Sequence, residues 1–203
     1  MAKFLNLADK MIQHKEHSTM APSLIRGMDH VGITVPDLDA AIRFFCEVLG
    51  CRLVHSRGPT AWADPAKSAE AARFVTENLG VHEGTTVAGI AMLRCGHGSN
   101  IELFDYRCSN RREEPPNNAD IGGHHLGFYT DDIVAGVEHL KRNGVKILGE
   151  VKTVTSGPEA GLSWVYFVSP WGLHMELVSF PSGKGYEKSD PDTKLWSAIA
   201  PAA

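Results

Sequence analysis
From position 30 onward, apolar residues alternate with small or polar ones: Val31, Ile33 and Val35 against His30, Gly32 and Thr34. A period of two predicts a half-buried strand with two distinct faces. Pro36 ends the strand, and Asp37 stands where it can cap a helix whose Leu38, Ala41, Ile42, Phe45 and Leu49 form one apolar stripe before Gly50 stops it. The period of two returns at 52–57, 85–93 and 100–106. At an offset of 95 the same design starts again. Leu126 and Phe128 take the helix-facing strand positions, Asp131 or Asp132 the cap, Ile133, Val137 and Leu140 the stripe, and Gly144 the stop, with strands predicted at 145–151, 162–168 and 174–180. Each half reads as βαβββ.

The halves are copies of one unit. DHVGITVPDLDAAIRFFCEVLGCRLV aligns with HHLGFYTDDIVAGVEHLKRNGVKIL, so that His30 falls on His125, Asp37 on Asp132, Ile42 on Val137 and Phe45 on Leu140. A one-residue deletion then brings Gly50 onto Gly144. Each copy is followed by a strand with a glutamate in it, NIELFDY with Glu102 and HMELVSF with Glu176. Two copies of one supersecondary unit predict a two-fold body with a shared core.

The expected organisation is an N-terminal arm at 1–27, a first module at 28–106, a linker at 107–123 rich in Pro and Asn, a second module at 124–180 and a polar tail at 181–203. Surplus residues in the first module at 61–84 read as an inserted helical segment near the mouth of a cavity. In the tail, Tyr186, Leu195 and Trp196 are the residues available as anchors.

Composition narrows the partners. With 43% hydrophobic and 22% charged residues among 203, the chain can bury a core, which excludes disorder. A net charge of −4 without blocks of like charge argues against nucleic acid and anionic membranes, leaving a small-molecule partner. No apolar run reaches a membrane-spanning length, and the charged N-terminus lacks the apolar stretch of a signal peptide, so a cytoplasmic location is expected. Cys46, Cys51, Cys95 and Cys108 form no CxxC pair and read as reduced, mostly buried thiols.

Strand alternation puts His30 on one face with Gly32 and Thr34, His125 with Gly127 and Tyr129, Glu102 with Asn100 and Phe104, and Glu176 with His174 and Val178. If the opposite faces pack against the helices, these residues line the inside of a curved sheet. Unpaired glutamates on strand interiors are costly, so they call for a partner. Two imidazoles and two carboxylates suit one divalent first-row metal ion per chain and do not discriminate among zinc, nickel, cobalt, manganese and ferrous iron. His30, Glu102, His125 and Glu176 are thus the candidate ligands, with Thr34, Asn100, Tyr129 and His174 as candidate substrate contacts. No P-loop, dinucleotide fingerprint or nucleophile elbow is present.

These motifs resemble the vicinal oxygen chelate superfamily, which includes glyoxalase I, methylmalonyl-CoA epimerase, extradiol dioxygenases and the fosfomycin and bleomycin resistance proteins. DHVGITVPDLDAAIRFFCEVLG and HHLGFYTDDI look like its module starts, IELFDY like its fourth strand and SPWGLHMELV like its last. The resemblance implies an α+β fold, two βαβββ modules forming an incomplete mixed β-barrel, with the four ligands on its floor. It also implies a lyase or isomerase of the glyoxalase I or epimerase type. In such an enzyme the metal polarises two neighbouring substrate oxygens, stabilising an enediolate, while Glu176, or else Glu102, moves the carbon-bound proton. The alternatives are ring cleavage by a ferrous dioxygenase using His30, His125 and Glu176, and a non-catalytic binding or resistance protein. A homodimer is expected.

Overall fold
The computed structural model describes residues 24, 25 and 27–199. The expected N-terminal arm, with His14 and His17, lies almost wholly outside them. The first module runs β1 (His30–Thr34), α1 (Leu38–Arg43), β2 (Arg52–Arg57), a 3-10 turn (Ala61–Ala63), α2 (Ala69–Arg73), β3 (Thr86–Arg94) and β4 (Asn100–Arg107). The second runs β5 (Leu126–Tyr129), α3 (Ile133–Arg142), β6 (Lys146–Thr153), β7 (Ser163–Val168) and β8 (His174–Ser179), followed by a 3-10 turn at Gly185–Ser189. Each module forms a four-stranded mixed sheet, in the orders β1-β4-β3-β2 and β5-β8-β7-β6, and the two do not close into one barrel. Among the described residues the parallel pairs are β1 with β4 and β5 with β8. They set Gly32 opposite Glu102 and Gly127 opposite Glu176, so the motif strands of each copy lie side by side.

The caps act as the sequence predicts. Asp37 Oδ1 accepts from the Ala40 N–H at 2.8 Å, and of the two candidates in the second copy Asp132 is the cap, accepting from Val134 and Ala135. Gly50 and Gly144, both at φ 73°, end their helices in the left-handed region. The first helix departs from expectation, being α only to Arg43 and then widening into a π turn at Phe44–Val48. The widened turn accompanies the burial of two successive aromatics, Phe44 and Phe45, which a regular α-helix would splay about 100° apart.

The insert repeats this device. Arg43, Phe44, Glu47, Leu49 and Gly50 recur as Arg73, Phe74, Glu77, Leu79 and Gly80, and α2 likewise passes into a π turn at Phe74–Asn78. Ser68 Oγ caps it by accepting from the Ala71 N–H at 3.0 Å. Its Phe74, Val75 and Leu79 pack with Val87 and Ile90 of β3 and with Phe104 and Tyr106 of β4. Phe104 and Tyr106 lie on the Glu102 side of their strand, so the insert covers part of that face.

One apolar cluster joins the modules: Ile33, Phe45, Leu93 and Leu103 from the first, Val137, Leu140, Val165, Phe167, Met175 and Leu177 from the second. Phe45 meets Phe128 and Trp171 with ring centroids 6.4 and 6.1 Å apart, and His139 Nε2 lies 2.8 Å from the Val48 carbonyl oxygen. The helices therefore share the core, and the histidines and glutamates fall on the opposite sheet faces, as alternation predicts.

The cysteines correct the sequence reading. Cys51 and Cys95 form a disulfide, while Cys46 and Cys108 are free. The paired positions lie 44 residues apart in sequence, and the β2–β3 register, which sets Arg52 opposite Arg94, brings them together. No helix among the described residues is long and apolar enough to cross a membrane.

Candidate functional site
Each sheet carries one histidine–glutamate pair. His30 Nε2 lies 3.2 Å from Glu102 Oε2, and His125 Nε2 lies 3.4 Å from Glu176 Oε2. Both contacts follow from the parallel β1–β4 and β5–β8 registers. The other ring nitrogens are engaged separately: His30 Nδ1 with Asp29 Oδ2 at 2.9 Å, His125 Nδ1 with Asn118 Oδ1 at 3.3 Å. The four expected ligands thus appear as two pairs, and among the described residues no group of three or more His, Cys, Asp or Glu side chains is arranged to hold a metal ion.

In donor chemistry the pairs fit a divalent ion. Each offers an imidazole Nε2 and a carboxylate oxygen directed at one another, with Nδ1 anchored elsewhere, the usual support for a ligating histidine. Neither Asp29 nor Asn118 was singled out from the sequence. Asp29 sits just before the strand, beyond the reach of alternation, and Asn118 comes from the linker.

Electrostatics differ between the pairs. The hydrogen bond to Asp29 raises the His30 pKa, opposed by its desolvation and aided by the charge of Glu102. Burial raises the Glu176 pKa, against the lowering effect of His125. The edge of Tyr166 meets the His125 ring with centroids 5.0 Å apart and its hydroxyl 3.5 Å from Nε2. Tyr166 is directly opposite Glu176 in the β7–β8 register, so only strand pairing, not the motif, reveals it.

A cavity of about 650 Å³ lies between the modules, bounded by Val31, Asn100 and Ile101 on one side and His125, Gly127 and Tyr129 on the other. Gly127 lines this cavity and lies beside Glu176, whose Oε2 is 3.9 Å from where a Cβ would stand, while His30, Glu102 and Glu176 themselves do not line it. Asn100 donates its side-chain N–H to the Asp29 carbonyl at 3.2 Å, and the Tyr129 hydroxyl donates to Asp131 Oδ1 at 2.8 Å. Thr34 lies apart from these groups, in a cavity of about 350 Å³ against linker residues 111–116 and His124. His174 keeps the Glu176 face of β8, with its Nδ1 buried and without a hydrogen-bond partner.

Residues 29–166 match the model of the glyoxalase/bleomycin resistance protein/dioxygenase superfamily. The chain belongs to that superfamily. It is 42% identical over 160 residues to a 2-epi-5-epi-valiolone epimerase from an Actinomyces species, a match covering 78% of this chain and 82% of the relative. Among solved structures it resembles a glyoxalase family protein from Bacillus cereus, with TM-score 0.59 and 24% identity over 79% of this chain and 97% of that one. The trypanothione-dependent glyoxalase I of Leishmania major superposes with TM-score 0.51 and 21% identity, covering 82% of this chain and 94% of that one. These two likenesses concern the fold of the superfamily.

Proposed function
We propose that the protein is an isomerase that inverts a carbon beside the carbonyl of a polyhydroxylated cyclic ketone. The observation that carries this reading is the 42% identity to an epimerase whose substrate name denotes such a ketone. Inversion requires proton removal on one face of the carbon and delivery on the other. Glu176 and Glu102, one on each sheet, are the carboxylates assigned to these steps. Burial makes Glu176 a stronger base than a solvated carboxylate, and we assign it the removal. Asn100 and Tyr129 line the cavity and orient the hydroxyl groups of the ring.

Each histidine–glutamate pair, His30 with Glu102 and His125 with Glu176, would supply two donors to a divalent ion, and such an ion would supply Lewis-acid polarisation of the ketone oxygen. When free of the ion, the carboxylates hold and move the proton: ionised Glu176 accepts it from carbon, protonated Glu102 gives its own to the opposite face, and exchange with water restores both.

The test is incubation with 2-epi-5-epi-valiolone in heavy water. Deuterium should enter the carbon beside the ketone without oxygen uptake, and Glu176→Gln should slow exchange about 10²- to 10⁴-fold while substrate binding changes far less. Oxygen consumption matched to ring opening of a catechol would replace this reading with the dioxygenase one. Stoichiometric binding without exchange would leave a binding protein.

A further inference from the structure
We propose that the C-terminal segment carrying Trp196 is a wall of the substrate site, and that the Trp196 ring is the surface on which the carbon ring of a polyhydroxylated cyclic ketone rests. The choice of ligand rests on the epimerase reading, but the placement of the segment does not. Residues 190–199 follow the last strand of the second module, yet they are tied back to it. The Gly185 N–H donates to the Ala160 carbonyl at 2.9 Å and the Tyr186 N–H to the Pro158 carbonyl at 2.7 Å, fixing the turn after β8 on the β6–β7 connection. The Tyr186 hydroxyl oxygen then accepts from the Leu195 N–H at 3.0 Å.

This chain of contacts delivers the next residue, Trp196, to the rim of the 650 Å³ cavity that Asn100, His125, Gly127 and Tyr129 also line. On the far side the turn after β3 comes up to meet it. A Cβ at Gly98 would lie 3.5 Å from Trp196 Cη2, an ordinary contact distance, so the turn and the tail are immediate neighbours at the rim. Despite these contacts Trp196 is 57% exposed. A large ring held in place, bordering a cavity and still open to solvent, offers an apolar surface that a ligand can cover.

The chemistry of the opposite wall selects the ligand. A polyhydroxylated carbon ring has C–H faces and a hydroxyl-bearing edge. An indole can cover a face while polar groups meet the edge, here Asn100, His125 and Tyr129. An acyclic dicarbonyl has no such face, and a catechol lacks the hydroxyl-rich edge. The cavity also falls in the size range of about 300–1,000 Å³ typical of small-molecule sites.

Full-length wild type, Trp196→Ala and Trp196→Phe, each loaded with the same divalent ion, are titrated with 2-epi-5-epi-valiolone by calorimetry and assayed for proton exchange. Trp196→Ala should weaken binding and raise KM roughly three- to tenfold, with kcat little changed and an unaltered melting transition, since the ring is exposed. Trp196→Phe should recover most of the loss. Equal affinity in wild type and Trp196→Ala overturns the role of Trp196 and leaves the epimerase reading intact. Trp196-dependent binding without proton exchange overturns the epimerase reading and keeps the wall. No binding by wild type removes both.

Discussion

Burial and a close neighbour together set the chemistry of Tyr129. Burial, and after it the hydrogen bond to Asp131, push the phenol up to about 12, above its ordinary value of about 10. A group whose folded-state pKa is raised contributes stability that is complete below its unfolded value, so this contribution holds below pH about 10 and is lost as pH climbs through about 12. Titrating tyrosinate absorbance should therefore show the Tyr129 phenol ionising late, alongside Tyr106, which burial also raises, and Asp131→Asn should bring the Tyr129 step alone part of the way back. An unchanged titration in the variant would show that Asp131 has no hold on it. Alternation placed His30, Glu102, His125 and Glu176 on the correct strand faces because a side chain's face depends only on its own strand. The alternation of residues could not provide Asp29, Asn118 or Tyr166, which reach the histidines from a flanking position, the linker and a neighbouring strand.

At the scale of elements, the caps are where sequence and structure agree most closely. Asp132 accepts two backbone N–H groups at the start of α3, at 2.9 and 3.0 Å. Asp132→Ala should cost about 1 kcal/mol, measured as a lower urea midpoint at unchanged slope. Asp131→Ala should leave the helix start intact, because that side chain turns instead to Tyr129. Residue type alone leaves either aspartate able to cap, while the repeat pairs Asp132 with the cap Asp37, and the structure follows the repeat. The insert was legible as helical, and its packing on Phe104 and Tyr106 was not, because those contacts join segments far apart in the chain. The Cys51–Cys95 disulfide was missed for the same reason. No local spacing signals it, and the hairpin register creates it.

For the molecule as a whole, the proposed assembly is a homodimer. Edge strand β2 is exposed along its length, with Leu53 at 44% and Val54 at 62% set among Arg52, His55, Ser56 and Arg57, and an open sheet edge is a place where another chain can pair. The two histidine–glutamate pairs stand on separate sheets of one chain, which leaves each able to accept further donors from a second copy. Sedimentation equilibrium should return twice the chain mass of 22.1 kDa, and a monomer at high protein concentration would remove the proposal. The common core through Phe45, Phe128 and Trp171 makes the two modules one folding body, so the dimer contact adds to an already complete core.

The sequence by itself determined the βαβββ repeat, the caps and stops of its main helices, the superfamily, and the face each histidine and glutamate takes. All of these depend on periods and residue types within a few positions, where backbone geometry leaves few choices. Only the tertiary structure decided that the four donors stand as two pairs, that Thr34 faces a different cavity from Asn100 and Tyr129, that Cys51 meets Cys95, and that the tail brings Trp196 to the cavity rim. These depend on strand register and on the packing of one module against the other, which arise from contacts between distant segments and leave no local period in the chain.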